Sequence, residues 1–324
     1  MRVHVQTTQG DPDFAITPAQ WREAAARAGE PAHDVSFGSS RADWDAAWAT
    51  TELLVGGTAA LRALGALAAP KLLAVFVNAT GVDGLAPFGW LPPGAMLLNN
   101  RGTHGPKAGE YIAMTVLMLA SRLPALASAQ RAGQWRPVFS APLAGRHATI
   151  VGTGDLGGAG ARALRSLGVA VTGVRSVAAP HPDFSDVVGV ADLDSVLART
   201  EFLVLACPLT AATNNLLGRR RLALLPAGAG VVNLGRGALL DGEALCDALE
   251  SGKISGAVLD VFDEEPLPAG HRMWRTENLV ITPHVSCDDP VSYNLRSLTI
   301  LFANLRALRE GRPPPNRVDL SRGY

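Results

Sequence analysis

The sequence predicts an α/β protein built from two open, doubly wound parallel-sheet domains, one inserted into the other. Three observations carry this. Short apolar runs of strand length alternate with helical patterns from one end of the chain to the other. A G-x-G-x-x-G turn, Gly152-Thr153-Gly154-Asp155-Leu156-Gly157, sits between a strand pattern and a helical pattern. The last helical pattern, 291–310, is too long and too polar on one face to extend a second sheet, so it is expected to return to the first domain.

In chain order, strands are expected at 2–5, 52–55, 72–77 and 96–98, with helices at 19–28 and 59–67. A long helix follows from Gly105 toward Ser121, then a connection containing Gln130 to Trp135. The inserted domain starts with a strand at 147–151, the glycine turn, a helix to Leu167 and a second strand at 169–174. Further strands are expected at 202–206, 230–234, 257–261 and 279–282. The expected bounds are residues 1–99 with 287–324 for the substrate domain and 100–286 for the dinucleotide-binding domain. Asn99-Asn100 and Ser286-Cys287 are then the crossings.

Composition removes several classes of function. Lys plus Arg number 29 and Asp plus Glu 29, so no net field recommends a nucleic acid or an anionic membrane as partner. Three widely spaced cysteines, Cys207, Cys246 and Cys287, suit a reducing cytoplasm and give neither a disulfide framework nor a zinc site; no metal is expected. The start, Met1 to Val5, enters a strand pattern directly, without a signal-peptide core. The most apolar helical stretch, 111–120, is too short to span a bilayer.

The glycine turn has a specific physical reading. Gly152 permits the tight turn, Gly154 lets backbone approach a pyrophosphate, and Gly157 lets helix and strand pack closely, with the anion on the helix N-terminus and Asp155 and Leu156 in its first turn. This is a Rossmann unit, for which a nicotinamide dinucleotide is the expected cofactor. The second strand ends in Arg175-Ser176 where an NAD-binding unit carries an acid for the ribose hydroxyls. A guanidinium there attracts a 2′-phosphate, so NADP(H) is expected over NAD(H), which stays the alternative. The competing reading of Arg175 is a solvated strand-end arginine.

Ligands of open parallel sheets gather outside the carboxyl ends of the strands. Three charged groups sit at such ends: Arg236 in Asn-Leu-Gly-Arg-Gly, Glu265 in Leu-Asp-Val-Phe-Asp-Glu-Glu-Pro, and His284 in Thr-Pro-His. Hydride arriving at a carbonyl carbon leaves charge on oxygen, so a protonated His284 would donate to it. Glu265 would hold the imidazolium, and the rigid fork of Arg236 would bind a carboxylate. A surface salt bridge, a helix-start carboxylate and a satisfied core histidine are the respective alternatives.

Taken together, the glycine motif, Asn233 to Gly237, Leu259 to Pro268 and Thr282 to His284 resemble the D-isomer-specific 2-hydroxyacid dehydrogenases over nearly the whole chain. The resemblance implies a Rossmann domain inserted into a flavodoxin-like substrate domain, with Arg236, Glu265 and His284 as the catalytic set. It implies that Asp260 contacts the nicotinamide carboxamide and that Cys207-Pro208 passes under the cofactor. Ala79-Thr80-Gly81-Val82-Asp83 resembles the family's carboxylate-binding loop, with Thr80 where a small apolar residue is usual. Arg175 and the ending from Asn316 to Tyr324 resemble the glyoxylate/hydroxypyruvate reductase branch.

No lysine stands at the Thr80 position to suggest phosphite oxidation, and Glu265 is not the glutamine of formate oxidation. The expected activity is NADPH-dependent reduction of a 2-keto acid to the D-hydroxy acid, and the resemblance implies a homodimer formed through the 105–121 helix. The uncharged Gly56-Gly57-Thr58 loop is expected to tolerate a neutral substrate side chain. The alternative is a nicotinamide-sensing binding protein resembling corepressors of this fold, which the absence of a polar tail or low-complexity arm disfavours.

Overall fold

In the computed structural model, which describes residues 1–8 and 14–323, the chain divides into two units, Met1–Thr103 with Asp289–Tyr324, and His104–Asp288. Tyr324, the end of the carboxyl-terminal resemblance, lies outside the described residues.

The first unit contains β1 (Arg2–Gln6), α1 (Pro18–Ala28), β2 (Asp34–Gly38), α2 (Arg41–Ala47), β3 (Leu53–Gly56), α3 (Thr58–Leu64), β4 (Ala74–Val77) and β5 (Met96–Leu98). Its strands are all parallel in the order β2-β1-β3-β4-β5, the flavodoxin-like winding. Alternation of side chains along each strand feeds two cores. Val3, Val5, Leu53, Val55 and Phe76 point to one face, and Leu54, Val75, Val77 and Leu97 to the other, where Trp44, Leu61 and Leu64 cover them. Each fully buried side chain of this kind contributes about 1.5–3 kcal/mol.

The second unit runs through α4 (Gly105–Ala120), α5 (Leu123–Arg131), β6 (His147–Val151), α6 (Asp155–Ser166), β7 (Ala170–Arg175), β8 (Asp186–Gly189), α7 (Leu193–Leu197), β9 (Phe202–Leu205), α8 (Arg219–Leu224), β10 (Ala229–Asn233), α9 (Gly242–Glu250), β11 (Ile254–Leu259) and β12 (Leu279–Ile281). Seven parallel strands lie in the order β12-β11-β10-β9-β6-β7-β8. The winding reverses between β6 and β9, and the crevice outside their carboxyl ends is the switch point where dinucleotides bind in such sheets. The last helix, α10 (Tyr293–Arg309), belongs to the first unit, packing Leu298, Leu301, Phe302 and Leu305 on the face of Val3, Val5 and Phe76.

Several expectations shift. Asn99 and Asn100 are interior to the first unit: Asn99 N–H donates to the Asn316 carbonyl at 3.0 Å and Asn100 Nδ2 to Ser297 Oγ at 2.6 Å. Ser286-Cys287 lies inside the second unit, where the Ser286 N–H bonds Asp260. The strand expected at 257–261 starts at Ile254 and stops at Leu259, because Asp260 turns into a polar network. Two edge strands, β2 and β8, and two helices, α2 and α5, were not anticipated. Gln130 and Arg131, read as connection, end α5.

Candidate active site

The phosphate turn grows from β6. Gly152 has φ +106, and a Cβ there would lie 2.5 Å from the Ala206 carbonyl oxygen, so the ends of β6 and β9 approach as closely as backbone allows. A Cβ on Gly157 would run into the Gly152 carbonyl oxygen. At Gly154, by contrast, a Cβ would meet nothing within 4 Å. That pattern of one crowded glycine, one strained glycine and one open glycine at a helix N-terminus fits a dinucleotide pyrophosphate. Leu156 is half-buried against the core beneath. The Asp155 carboxylate turns toward Gly105 on α4, where a Cβ would lie 2.7 Å from Oδ1, and its Oδ2 is buried with no hydrogen-bond partner.

Arg175 is the last residue of β7 and is exposed, with exposed Ser176 following it. At the end of β9, Cys207 is buried and Pro208 exposed. Burial pushes the Cys207 thiol up to about 11, so it stays a neutral packing group.

The Arg236 loop is shaped by Asn233, whose Oδ1 accepts from Gly235 N–H at 3.1 Å while its Nδ2 donates to the Arg236 carbonyl at 2.9 Å. Arg236 is half-buried, and its Nη1 donates to the Gly235 carbonyl at 2.8 Å. A Cβ on Gly237 would collide with the backbone of Phe262 and Asp263. This glycine therefore sets the Arg236 loop directly against the loop that carries Glu265.

His284 Nδ1 lies 2.7 Å from Glu265 Oε2, and Glu265 Oε1 accepts the Phe262 N–H at 2.8 Å. An ionised carboxylate only accepts, so Nδ1 carries the hydrogen of this bond and Nε2 is left to hold or take a proton. His284 has φ +55, a conformation few side-chain-bearing residues adopt. Asp260, wholly buried, holds it there from both sides. Its carbonyl accepts the His284 N–H at 2.9 Å, Oδ1 accepts Val285 N–H at 3.0 Å and Thr282 Oγ1 at 2.6 Å, and Oδ2 accepts Ser286 N–H at 3.0 Å. Asp260, expected to face the cofactor, thus has both oxygens engaged in the histidine loop.

Within the first unit, the loop after β4 is pinned by the two asparagines. Asn99 Nδ2 donates to the Thr80 carbonyl at 3.0 Å, Asn100 N–H to the Ala79 carbonyl at 3.0 Å, and Thr80 Oγ1 to the Asn100 carbonyl at 3.3 Å. The hydroxyl that departs from the family pattern is thereby satisfied beside Gly81. Lys107 pairs with Glu110 at 3.2 Å on the exposed face of α4, and His104 Nδ1 donates to the Cys287 carbonyl at 3.1 Å. Among the described residues no group of three or more His, Cys, Asp or Glu is set to hold a metal ion. No single described helix is long and apolar enough to cross a membrane. Asn233, Gly237 and Thr282 stand in the sequence motifs without a role of their own, and Tyr111 only at the start of an apolar helical stretch. Their only signals are a polar residue ending a buried strand, a second glycine beside Arg236 and hydroxyls in otherwise apolar runs.

The family profile described as D-isomer specific 2-hydroxyacid dehydrogenase, NAD binding domain, matches residues 113–286. The chain belongs to the D-isomer-specific 2-hydroxyacid dehydrogenase family. As a member, it is an NAD(P)-dependent enzyme of 2-hydroxy acids. It is 32% identical over 263 residues to a glyoxylate reductase of Korarchaeum cryptofilum, covering 78% of this chain and 77% of that one. It is 31% identical to glyoxylate/hydroxypyruvate reductase A of Salmonella typhi, covering 80% and 84%. Among solved structures, an NADPH-dependent glyoxylate/hydroxypyruvate reductase from Sinorhizobium meliloti, in complex with NADP and sulfate, superposes with a TM-score of 0.81 at 26% identity, covering 100% of this chain and 99% of that one. A D-isomer-specific 2-hydroxyacid dehydrogenase from Xanthobacter autotrophicus, in complex with NADPH and MES, gives 0.81 at 27% identity, covering 99% of each.

Proposed function

We propose that this dehydrogenase is an NADPH-dependent 2-keto acid reductase of the glyoxylate/hydroxypyruvate type, giving D-2-hydroxy acids. The His284 to Glu265 bond at 2.7 Å carries the reading, because it fixes which imidazole nitrogen faces away from the carboxylate. The nicotinamide supplies the hydride when bound. His284 donates the proton from Nε2 to the carbonyl oxygen as negative charge develops there, and Glu265 offsets the imidazolium charge. Arg236 binds the substrate carboxylate, and within the first unit the backbone N–H groups of Ala79-Thr80-Gly81 are the substrate-binding candidates. Gly152, Gly154, Asp155, Leu156 and Gly157 form the pyrophosphate turn, and Arg175 with Ser176 receives the 2′-phosphate. Cys207 and Pro208 line the cofactor's path, and Asp260 contributes by holding the histidine loop. The names of the relatives support the substrate class, and the NADP in two matched structures supports the cofactor.

The homodimer and cytoplasmic location are part of the same proposal. Met114 and Leu117 on α4, Leu123 on α5, and Trp135 and Phe139 beyond it are exposed apolar residues of one unit, which supports a covering partner. The free cysteines support a reducing compartment.

The test is a steady-state screen of glyoxylate, hydroxypyruvate, phenylpyruvate and oxaloacetate with NADPH and NADH. Glyoxylate and hydroxypyruvate with NADPH are expected to lead, and aldehydes without a carboxylate are expected to fail, since they leave buried donors unpaired. Efficient reduction of those aldehydes overturns the carboxylate clamp, and a preference for oxaloacetate overturns the uncharged Gly56-Gly57-Thr58 wall. His284→Gln is expected to lose at least about a hundredfold in kcat while NADPH still binds; near-normal turnover would require another acid.

A further inference from the structure

Tyr111 lies on α4, far along the chain from the glycine turn and the strand-end loops, and it is nearly fully buried. Its hydroxyl is 2.7 Å from Thr282 Oγ1, which in turn donates to Asp260 Oδ1 at 2.6 Å. The directions follow from a count of hydrogens. The Asp260 carboxylate only accepts, so the single hydroxyl hydrogen of Thr282 goes to it, and the Tyr111 phenol must donate to Thr282. Burial pushes the phenol up to about 12, with the hydrogen bond to Thr282 opposing, so it remains a donor across the working pH range.

Asp260 is the residue whose carbonyl and carboxylate together hold the backbone on both sides of His284 at φ +55. A side-chain-bearing residue in that region persists only where its surroundings over-determine it. One of the surrounding contacts comes from α4, Tyr111 through Thr282, and another from the residue that precedes the helix, His104, whose Nδ1 donates to the Cys287 carbonyl just beyond the loop. The same helix is fixed against α6 of the phosphate turn, where a Cβ on Gly109 would lie 3.2 Å from the Ala159 carbonyl oxygen. We propose that Tyr111 is a positioning residue for the proposed reductase, acting through a one-way hydroxyl relay, Tyr111 to Thr282 to Asp260, that holds His284 in its proton-donating position. This rests on the reductase reading for its consequence in turnover, but the relay itself is a property of the folded chain.

The experiment compares Tyr111→Phe, Thr282→Val, Thr282→Ser and the double variant Tyr111→Phe/Thr282→Val. Tyr111→Phe keeps the ring and removes only the donor. It is expected to lower kcat for 2-keto acid reduction at least about fivefold, with the KM for NADPH within about twofold, because the cofactor turn is untouched. Thr282→Ser, which retains a relay hydroxyl, is expected to be at least about threefold more active than Thr282→Val. The double variant is expected to be no slower than Thr282→Val alone, since both break one chain. A Tyr111→Phe enzyme with kcat within about twofold of the parent, or a double variant whose loss is the product of the single losses, overturns the relay.

A second readout separates this from the reductase reading. In protein carrying labelled histidine, the His284 ring resonance, assigned by its loss in His284→Gln, is expected to move in Tyr111→Phe and in Thr282→Val and to lie nearer the parent in Thr282→Ser. A parent inactive on every 2-keto acid would defeat the reductase reading, while this resonance would still decide the relay; an unmoved resonance in Tyr111→Phe overturns it.

Discussion

In the proposed reaction, Arg175 and Gly237 would act as single residues in different ways. Arg175 ends β7 exposed, beside Ser176, and nothing in the sheet requires a guanidinium there. Replacing it with Asp supplies the acid that suits ribose hydroxyls and repels a 2′-phosphate. Arg175→Asp is therefore expected to cut the NADPH-to-NADH ratio of kcat/KM at least about tenfold, or about 1.4 kcal/mol; a steady-state comparison showing an unchanged ratio would remove Arg175 from the cofactor site. Gly237 acts by absence. Any side chain would push the Arg236 loop off the Phe262–Asp263 backbone and carry the guanidinium with it. Gly237→Ala is expected to lower kcat/KM for the keto acid at least about tenfold, with NADPH affinity, measured by fluorescence titration, changed less than about threefold. Comparable losses in both would mean that the substitution disorders the whole rim. Arg236, Glu265 and His284 could be named as candidates from sequence because their chemistry is written in their side chains. The roles of Gly237 and Asn233 could not, since their work lies in a collision avoided and a loop closed, which only the folded structure displays.

The strands that sequence reading found and missed follow from where they lie. β3, β4, β9 and β10 are buried on both faces and spell continuous apolar runs. β2 and β8 are edges with exposed Asp34, Ser36 and Asp186 interrupting the pattern, whereas the edges β5 and β12 are short apolar runs and were legible. The pairing of β1 with β2 also carries a titratable group. His4 is buried between them, with Nδ1 2.8 Å from Ser36 Oγ and Nε2 2.9 Å from Gln6 Oε1. Desolvation holds its imidazole below the usual histidine value, against the opposing hydrogen bond to Gln6 and the charge of Asp43. Between that lowered value and the unfolded value of about 6.5 the unfolded chain binds more protons, so stability falls as pH drops through this window. His147, lowered by burial at the start of β6, adds to the same slope in the second unit. Urea midpoints are expected to decrease from pH 7.5 to 5.5, and His4→Gln is expected to flatten the decrease without abolishing it. An equal slope in the variant would show that His4 titrates alike in both states.

For the molecule as a whole, balanced charge and the sum of two doubly wound sheets were readable because each depends only on composition or on the period of apolar residues. Association is different, since it depends on which apolar residues the fold leaves uncovered. On α4, Tyr111, Ile112, Val116 and Leu119 are buried within their own unit, while Met114 and Leu117 are left 46% and 42% exposed. Leu123 follows on α5 at 44%, and Trp135 and Phe139 stand 100% and 91% exposed on the connection to β6. A single exposed leucine means nothing, but five large apolar groups exposed within 26 residues of one stretch, 114–139, favour a covering partner. A second copy of the chain would remove them from water, and isologous pairing uses one such surface twice. Sedimentation equilibrium is therefore expected to give twice the chain mass, with Leu117→Glu shifting the population toward the single chain, because a carboxylate buried without a partner is costly at an interface core. Since Leu117 is exposed and has no part in the proposed reaction, the variant also asks whether turnover requires the dimer. A parent sedimenting as a single chain at all concentrations would refute the pairing, and a Leu117→Glu protein that remains fully dimeric would move the interface elsewhere.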